Sequence, residues 1–205
     1  MKLVYQPRVP CGYCPAENPR DLSYSKKRTA RFFLDAQIFC DKFKELNRNL
    51  GVMYMDIFTE KINGFFSDFG EGKKMVLSTS ENNRVSSRMM SVVQIEGAFY
   101  FQTDKNMRKY HQIISNSYVA LCIDNIQIEG ICEEIGQPLK STAFCDVFQK
   151  RFKGSYDAYS ALKNERLFSV KPLYIERWIY EEGIPYIETF DMNTRQYSFN
   201  KYEGV

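Results

Sequence analysis

Three cations and one hydroxyl carry most of the chemistry legible in this sequence. Arg88 stands inside RVSSRMMSVV, a stretch with the composition of a strand, and Arg108-Lys109 open a helical stretch just after another strand ends at Thr103. A strand that is even half-buried rarely carries an arginine without a partner. Backbone N–H groups at a helix start, with cations beside them, make a site for phosphate. Arginine supplies a planar fork of donors and lysine a point charge. Thr103 can offer its hydroxyl to the same anion or cap the helix that follows. The plain alternative is a solvated strand arginine and an ordinary helix start.

Other reactive groups are sparse. The single histidine, His111, falls within the helix after the cation pair. One histidine builds neither a Ser-His-Asp triad nor a histidine metal cluster. A solvent-facing helix position is its expected place, with haem ligation or general-base work as the alternative. Cys11-Gly12-Tyr13-Cys14 is a CxxC knuckle with only Cys40 near it in sequence. A structural zinc site needs a second pair or a histidine, and a redox pair opens a helix in a βαβ setting, so no metal is expected. Lys26-Lys27-Arg28 reads as a solvated basic turn. A net charge of +3 is mild, unlike the concentrated basic face of a nucleic-acid protein. No residue reads as catalytic in its own right.

The elements that must hold these residues follow from hydrophobic periodicity. Between Lys73 and Ile135 the order is strand, turn, strand, strand, short helix, strand, strand, with Asn82-Asn83 and Glu96-Gly97 as turn formers. Before it, Phe58, Ile62, Phe65 and Phe69 fall on one helical stripe that Gly70-Glu71-Gly72 ends. After it, Gly136-Gln137-Pro138 breaks the sheet. A helix is expected over Ser141 to Lys153, an interruption at Gly154-Ser155 and a shorter helix over Tyr156 to Leu162. Closing strands are expected over Leu167 to Val170, Leu173 to Glu181 and Ile184 to Phe190, with a last edge at Tyr197 to Phe199. Residues 1–24 hold four of the seven prolines, and an amphipathic helix is expected over Thr29 to Asn47. Residues 1–52 therefore read as an extension and 53–205 as the main domain. Of the 205 residues, 44% are hydrophobic and 15% aromatic, which suits a packed core and aromatic-rich interfaces. No apolar run approaches the roughly 20 residues that span a bilayer, and the N-terminus lacks a signal-peptide h-region, so a cytoplasmic protein is expected and no membrane contact.

Taken in order, these features resemble the pyridoxamine 5′-phosphate oxidase-like family, the FMN-binding split β-barrels. Arg88-Met89-Met90-Ser91-Val92-Val93 matches the family's flavin strand, and Phe101-Gln102-Thr103 its aromatic-x-Thr strand end. Arg108 and Lys109 stand five and six residues after the Thr. Asn116 to Leu121 resembles the family's NP-x-Val-Ala-Leu, Gly130 a strand glycine, and Ile175-Glu176-Arg177-Trp178 its I-E-x-W strand. The resemblance covers Asp56 to Glu188.

It implies a mainly β fold with peripheral helices, a split β-barrel, assembled as a homodimer with FMN at the interface. It implies an oxidoreductase for a small molecule, with Arg88, Thr103, Arg108 and Lys109 around the FMN phosphate. Met89, Met90 and Ser91 would lie along the ring, where thioethers adapt to a flat surface and the main chain meets the polar edge. Asn125 stands where the family places an amide reaching the flavin, Gln127 being the alternative. Trp178 fills the core or lies near the flavin. Two positions depart from the true oxidases: Val93 replaces a Lys, and Ile184-Pro185-Tyr186 replaces an Arg-Leu-His motif. Oxidation of pyridoxamine 5′-phosphate is therefore not expected. The alternative function is a non-enzymatic flavin- or haem-binding store or sensor.

Overall fold

The computed structural model describes residues 57–204. The expected extension, its helix, the CxxC pair and the 52/53 boundary lie outside the described residues. Helix α1 runs over 57–69, and its stripe of Phe58, Ile62, Phe65 and Phe69 is buried. The rings pack edge-on or tilted against Phe190 and Phe99, at 5.1 to 6.2 Å between centroids. Burial of each ring contributes on the order of 2 kcal/mol, so packing rather than helix propensity holds α1. Gly70, at φ +74°, ends the helix in the left-handed conformation that glycine adopts without strain.

Eight antiparallel strands follow: β1 (Gly72–Glu81), β2 (Arg84–Ile95), β3 (Ala98–Asp104), β4 (Tyr118–Ile123), β5 (Ile126–Gly136), β6 (Glu165–Glu181), β7 (Ile184–Asp191) and β8 (Gln196–Lys201). The order is β3-β2-β1-β4-β5-β6, closed by pairing of β3 with β6, and β7 and β8 continue from β6 outside the ring. Asn82 and Asn83 both have positive φ, the backbone that a two-residue hairpin turn demands. The barrel interior is apolar, including Met75, Leu77, Val92, Phe99, Leu121 and Ile128, and Phe101 stacks on Phe168 at 5.5 Å.

One feature of the barrel sets up the site. β2 pairs with β1 along its length, but with β3 only from Val93 to Ile95. Beyond that point β3 turns away to pair with β6 from Phe99 to Asp104. The two strands diverge, and among the described residues no strand lies against the β3-facing backbone edge of β2 before Val93.

Among the described residues the further helices are α2 (Arg108–Ser115), α3 (Thr142–Arg151) and α4 (Lys153–Tyr159), with a 3-10 turn at Pro138–Lys140. Ser141 caps α3, its Oγ accepting from the Phe144 N–H at 3.3 Å. Phe144 and Phe148 of α3 bury Val93 and Leu167 on the outside of the barrel.

The structure corrects two expectations. The helix break falls at Phe152 (φ −136°, ψ 49°), and Gly154 and Ser155 lie inside α4. Phe152 keeps its ring 5.3 Å from Phe148, and the backbone turns there to allow it. The expected strands over Leu167 to Val170 and Leu173 to Glu181 are one strand, β6. Pro172 sits opposite Gly130 at a bulge where the β5–β6 register shifts, a position where its missing N–H costs little. Among the described residues, no helix is long and apolar enough to cross a membrane.

Candidate functional site

The divergence of β2 from β3 opens a cavity of about 540 Å³. Met89, Met90 and Ser91 of β2 form one wall and Gln102, Thr103 and Asp104 of β3 another. Lys109 enters from the first turn of α2, and Phe148, Ser155 and Tyr159 of α3 and α4 cover the far side with Leu162 and Glu165. Alternation along β2 sends Val92 and Met90 to the barrel core, while Met89 is 60% exposed. The Gln102 side chain ties β3 to the α4 segment: its Oε1 accepts from Ser160 Oγ at 2.8 Å and its Nε2 donates to the Ser155 carbonyl at 3.4 Å.

The polar end of the cavity is under-satisfied. Thr103 Oγ1 is the buried side-chain polar atom among the described residues with no hydrogen-bond partner. Such an orphan costs about 1–3 kcal/mol, so it marks a place where a partner belongs. Thr103 does not cap α2. The cap position is Met107, with no side-chain hydrogen bond, which leaves the first N–H groups of that helix free of a side-chain acceptor. Burial, and secondarily the nearby Arg88, pull the Lys109 ammonium below its ordinary pKa, while Glu165 and Asp104 act the other way. Glu165 is 4% exposed. Burial first, and Asp104 second, push its carboxyl up to about 7 against the opposing charge of Lys109.

Five of the eight residues singled out by sequence line this cavity: Met89, Met90, Ser91, Thr103 and Lys109. The other three do not. The Arg88 guanidinium donates to Thr79 Oγ1 at 2.7 Å, to Gln112 Oε1 at 2.8 Å and to the Leu77 carbonyl at 3.3 Å. Thr79 donates in turn to Gln112 at 2.8 Å. Arg88 thus joins α2 to the barrel and reaches the cavity as a charge felt by Lys109. Arg108 is exposed and donates to Ser86 Oγ at 3.1 Å. Asn125 sits in the β4–β5 turn, where its amide donates to the Trp178 carbonyl and its own carbonyl accepts from the Trp178 N–H. Gln127 donates to Glu129 instead. Trp178 is half-buried and packs 5.0 Å from Tyr202, outside the barrel core. His111 is exposed, edge-on to Tyr110 at 5.5 Å. Sequence reasoning missed Glu165, Asp104 and Gln102. Glu165 becomes conspicuous only through its register pairing with Asp104, and no local pattern carries that.

The ring of six strands, the helices laid against it and the cavity at its split define the class, a split β-barrel. Residues 58–179 match the family model described as pyridoxamine 5′-phosphate oxidase, and the chain belongs to that family. No curated protein matches the sequence. Solved structures with a similar fold include PhzG from Burkholderia lata 383 in complex with tetrahydrophenazine-1-carboxylic acid, at 13% identity over 64% of this chain and 82% of that one, TM-score 0.46. A pyridoxamine 5′-phosphate oxidase-related, FMN-binding protein from Nostoc punctiforme PCC 73102 is 14% identical over 63% and 86%, TM-score 0.44. HutZ, the haem storage protein from Vibrio cholerae, is 18% identical over 49% and 81%, TM-score 0.43.

Proposed function

We propose that this protein binds FMN in the β2–β3 cavity and is an oxidoreductase for a small molecule other than pyridoxamine 5′-phosphate. The observation that carries the reading is the orphaned, buried hydroxyl of Thr103 beside the desolvated ammonium of Lys109. A phosphate supplies acceptors for both, and for the uncapped N–H groups at the start of α2. The ring-facing wall fits as well. Met89 and Met90 offer adaptable apolar surface, and the β2 edge left free by β3 offers main-chain donors and acceptors to a heterocycle. Bound there, FMN would supply the electron-transfer chemistry, while the protein's side chains hold it and exclude water.

The departure from the true oxidases is structural as well as chemical. Val93, where they carry Lys, is fully buried against Phe144, Phe148 and Leu167, so this position offers no cation to a substrate phosphate. Ile184-Pro185-Tyr186 on β7 offers none of the Arg and His donors. The protein is also expected to act as a homodimer, as the resemblance implies. The outer face of β2, β1 and β4 supports this, with Val85 73% and Tyr118 63% exposed.

Titration of FMN with the purified chain, followed by flavin fluorescence, tests the reading. Saturable quenching is expected, and Lys109→Ala should weaken binding by about 1.5–3 kcal/mol, the scale of a hydrogen bond to a charged group. A colourless protein that leaves FMN fluorescence unchanged sinks it.

A further inference from the structure

The cavity carries a carboxyl group that a phosphate site does not call for. Glu165 opens β6 as the register partner of Asp104 and lines the same cavity as Thr103 and Lys109. Its backbone is committed: the N–H donates to the Leu162 carbonyl at 3.1 Å and the C=O accepts from Arg166 at 2.8 Å. What acts on its carboxyl, by contrast, is burial and the charges of Asp104 and Lys109, with no hydrogen bond among the described residues. Asp104 differs, because its Oδ1 already accepts from the Asn106 N–H at 2.7 Å. As an anion, Glu165 would face Asp104 and repel any phosphate drawn in by Lys109. As a neutral acid it has an O–H donor to offer that phosphate.

We propose that Glu165 belongs to the anion site, donating a hydrogen bond in its protonated form to the phosphate beside Thr103 and Lys109, so that FMN affinity depends on pH. This rests on the FMN reading and adds a residue that reading does not require. Among the described residues, the charged groups facing Glu165 are Asp104 from β3 and Lys109 from α2. Met89, Met90 and Ser91 on β2, and Phe148 and Ser155 on α3 and α4, carry no ionisable side chain. Arg166, next along β6, turns to Glu134, with Nε 3.2 Å from Oε1.

The sign follows from the position of the titration near 7. Below it Glu165 is neutral and donates; above it Glu165 is an anion and repels. The second ionisation of the phosphate, near 6, acts in the opposite sense. Riboflavin, which has the same ring and no phosphate, separates ring effects from phosphate effects.

The experiment titrates FMN and riboflavin into the full chain between pH 6.5 and 8.5, with wild type, Glu165→Gln and Asp104→Asn. Wild-type FMN affinity is expected to fall about tenfold across that range, the slope of one required proton damped by the incomplete titration at either end. Glu165→Gln keeps an N–H donor and cannot ionise, so its FMN affinity stays flat. Riboflavin affinity stays flat in every variant. Asp104→Asn moves the fall to higher pH in no case, because removing that charge eases ionisation of Glu165; the fall shifts to lower pH. A flat wild-type profile for FMN, a slope that survives in Glu165→Gln, or a fall that does not shift in Asp104→Asn overturns the proposal and leaves the FMN reading standing. Failure of both flavins to bind at every pH overturns both.

Discussion

Thr103 shows how one residue can serve binding at the expense of stability. Its hydroxyl is buried and unpaired, which costs the unliganded fold about 1–3 kcal/mol. Valine has nearly the same shape and no polar atom. Thr103→Val is therefore expected to raise the unfolding free energy of the ligand-free chain by about 1 kcal/mol while lowering FMN affinity by a similar amount. Urea unfolding without flavin and an FMN titration check the two halves. A destabilised variant with unchanged FMN affinity would show that the hydroxyl serves the fold. Arg88 is the contrasting case. Its donors already have protein acceptors in Thr79, Gln112 and Leu77, so its position is satisfied before any ligand arrives.

At the scale of elements, two glycines sit in opposite surroundings. A Cβ on Gly130 would lie 2.6 Å from the Lys171 carbonyl oxygen and 2.8 Å from Val170 Cγ1, because the β5–β6 bulge brings the backbones together there. Gly130→Ala is expected to cost about 3 kcal/mol, the upper range for overpacking against atoms that cannot move aside. Gly154 has nothing within 4 Å of such a Cβ and lies inside α4. Gly154→Ala should stabilise by about 0.5–1 kcal/mol, the difference between glycine and alanine in a helix. Denaturation midpoints of the two variants decide the matter: opposite shifts are expected, and a stabilised Gly130→Ala or a destabilised Gly154→Ala contradicts the element assignment.

At the scale of the whole molecule, the proposed homodimer is expected to use a sheet face that is exposed among the described residues. Val85, Met89 and Tyr118 lie exposed across β2 and β4, and a shallow groove of about 330 Å³ runs beside them between Ser78, Ser80 and Ala120. Small residues flanked by large apolar ones let two such faces approach closely. Asn125 does not line the cavity, and its expected contact with the flavin is assigned to the proposed second copy. The full chain is expected to sediment as a dimer. Tyr118→Glu should sediment as a monomer with an unchanged circular dichroism spectrum, since an unpaired charge buried at an interface costs several kcal/mol. A monomeric wild type, or a dimer that tolerates Tyr118→Glu, rules out this face.

The sequence by itself determined the local features. The stripe from Phe58 to Phe69, the turns at Asn82-Asn83 and Glu96-Gly97, and the strands around them depend on periodicity and turn chemistry, which act over a few residues. Of the five cavity residues, Thr103 and Lys109 were legible at a strand end and a helix start, while Met89, Met90 and Ser91 were marked by the family resemblance. Only the tertiary structure decided the rest. Closure of β3 on β6 splits β2 from β3 and opens the cavity. That Leu167 to Val170 and Leu173 to Glu181 form one strand depends on the place of Pro172 opposite Gly130, at a bulge set by another strand. Arg88 was read as a ligand of the anion because its acceptors, Thr79 and Gln112, come from β1 and α2. Glu165 was invisible because its charge matters only where β6 lies against Asp104 and faces Lys109. Burial and register shift its proton affinity, and both are properties of strands brought together across the barrel.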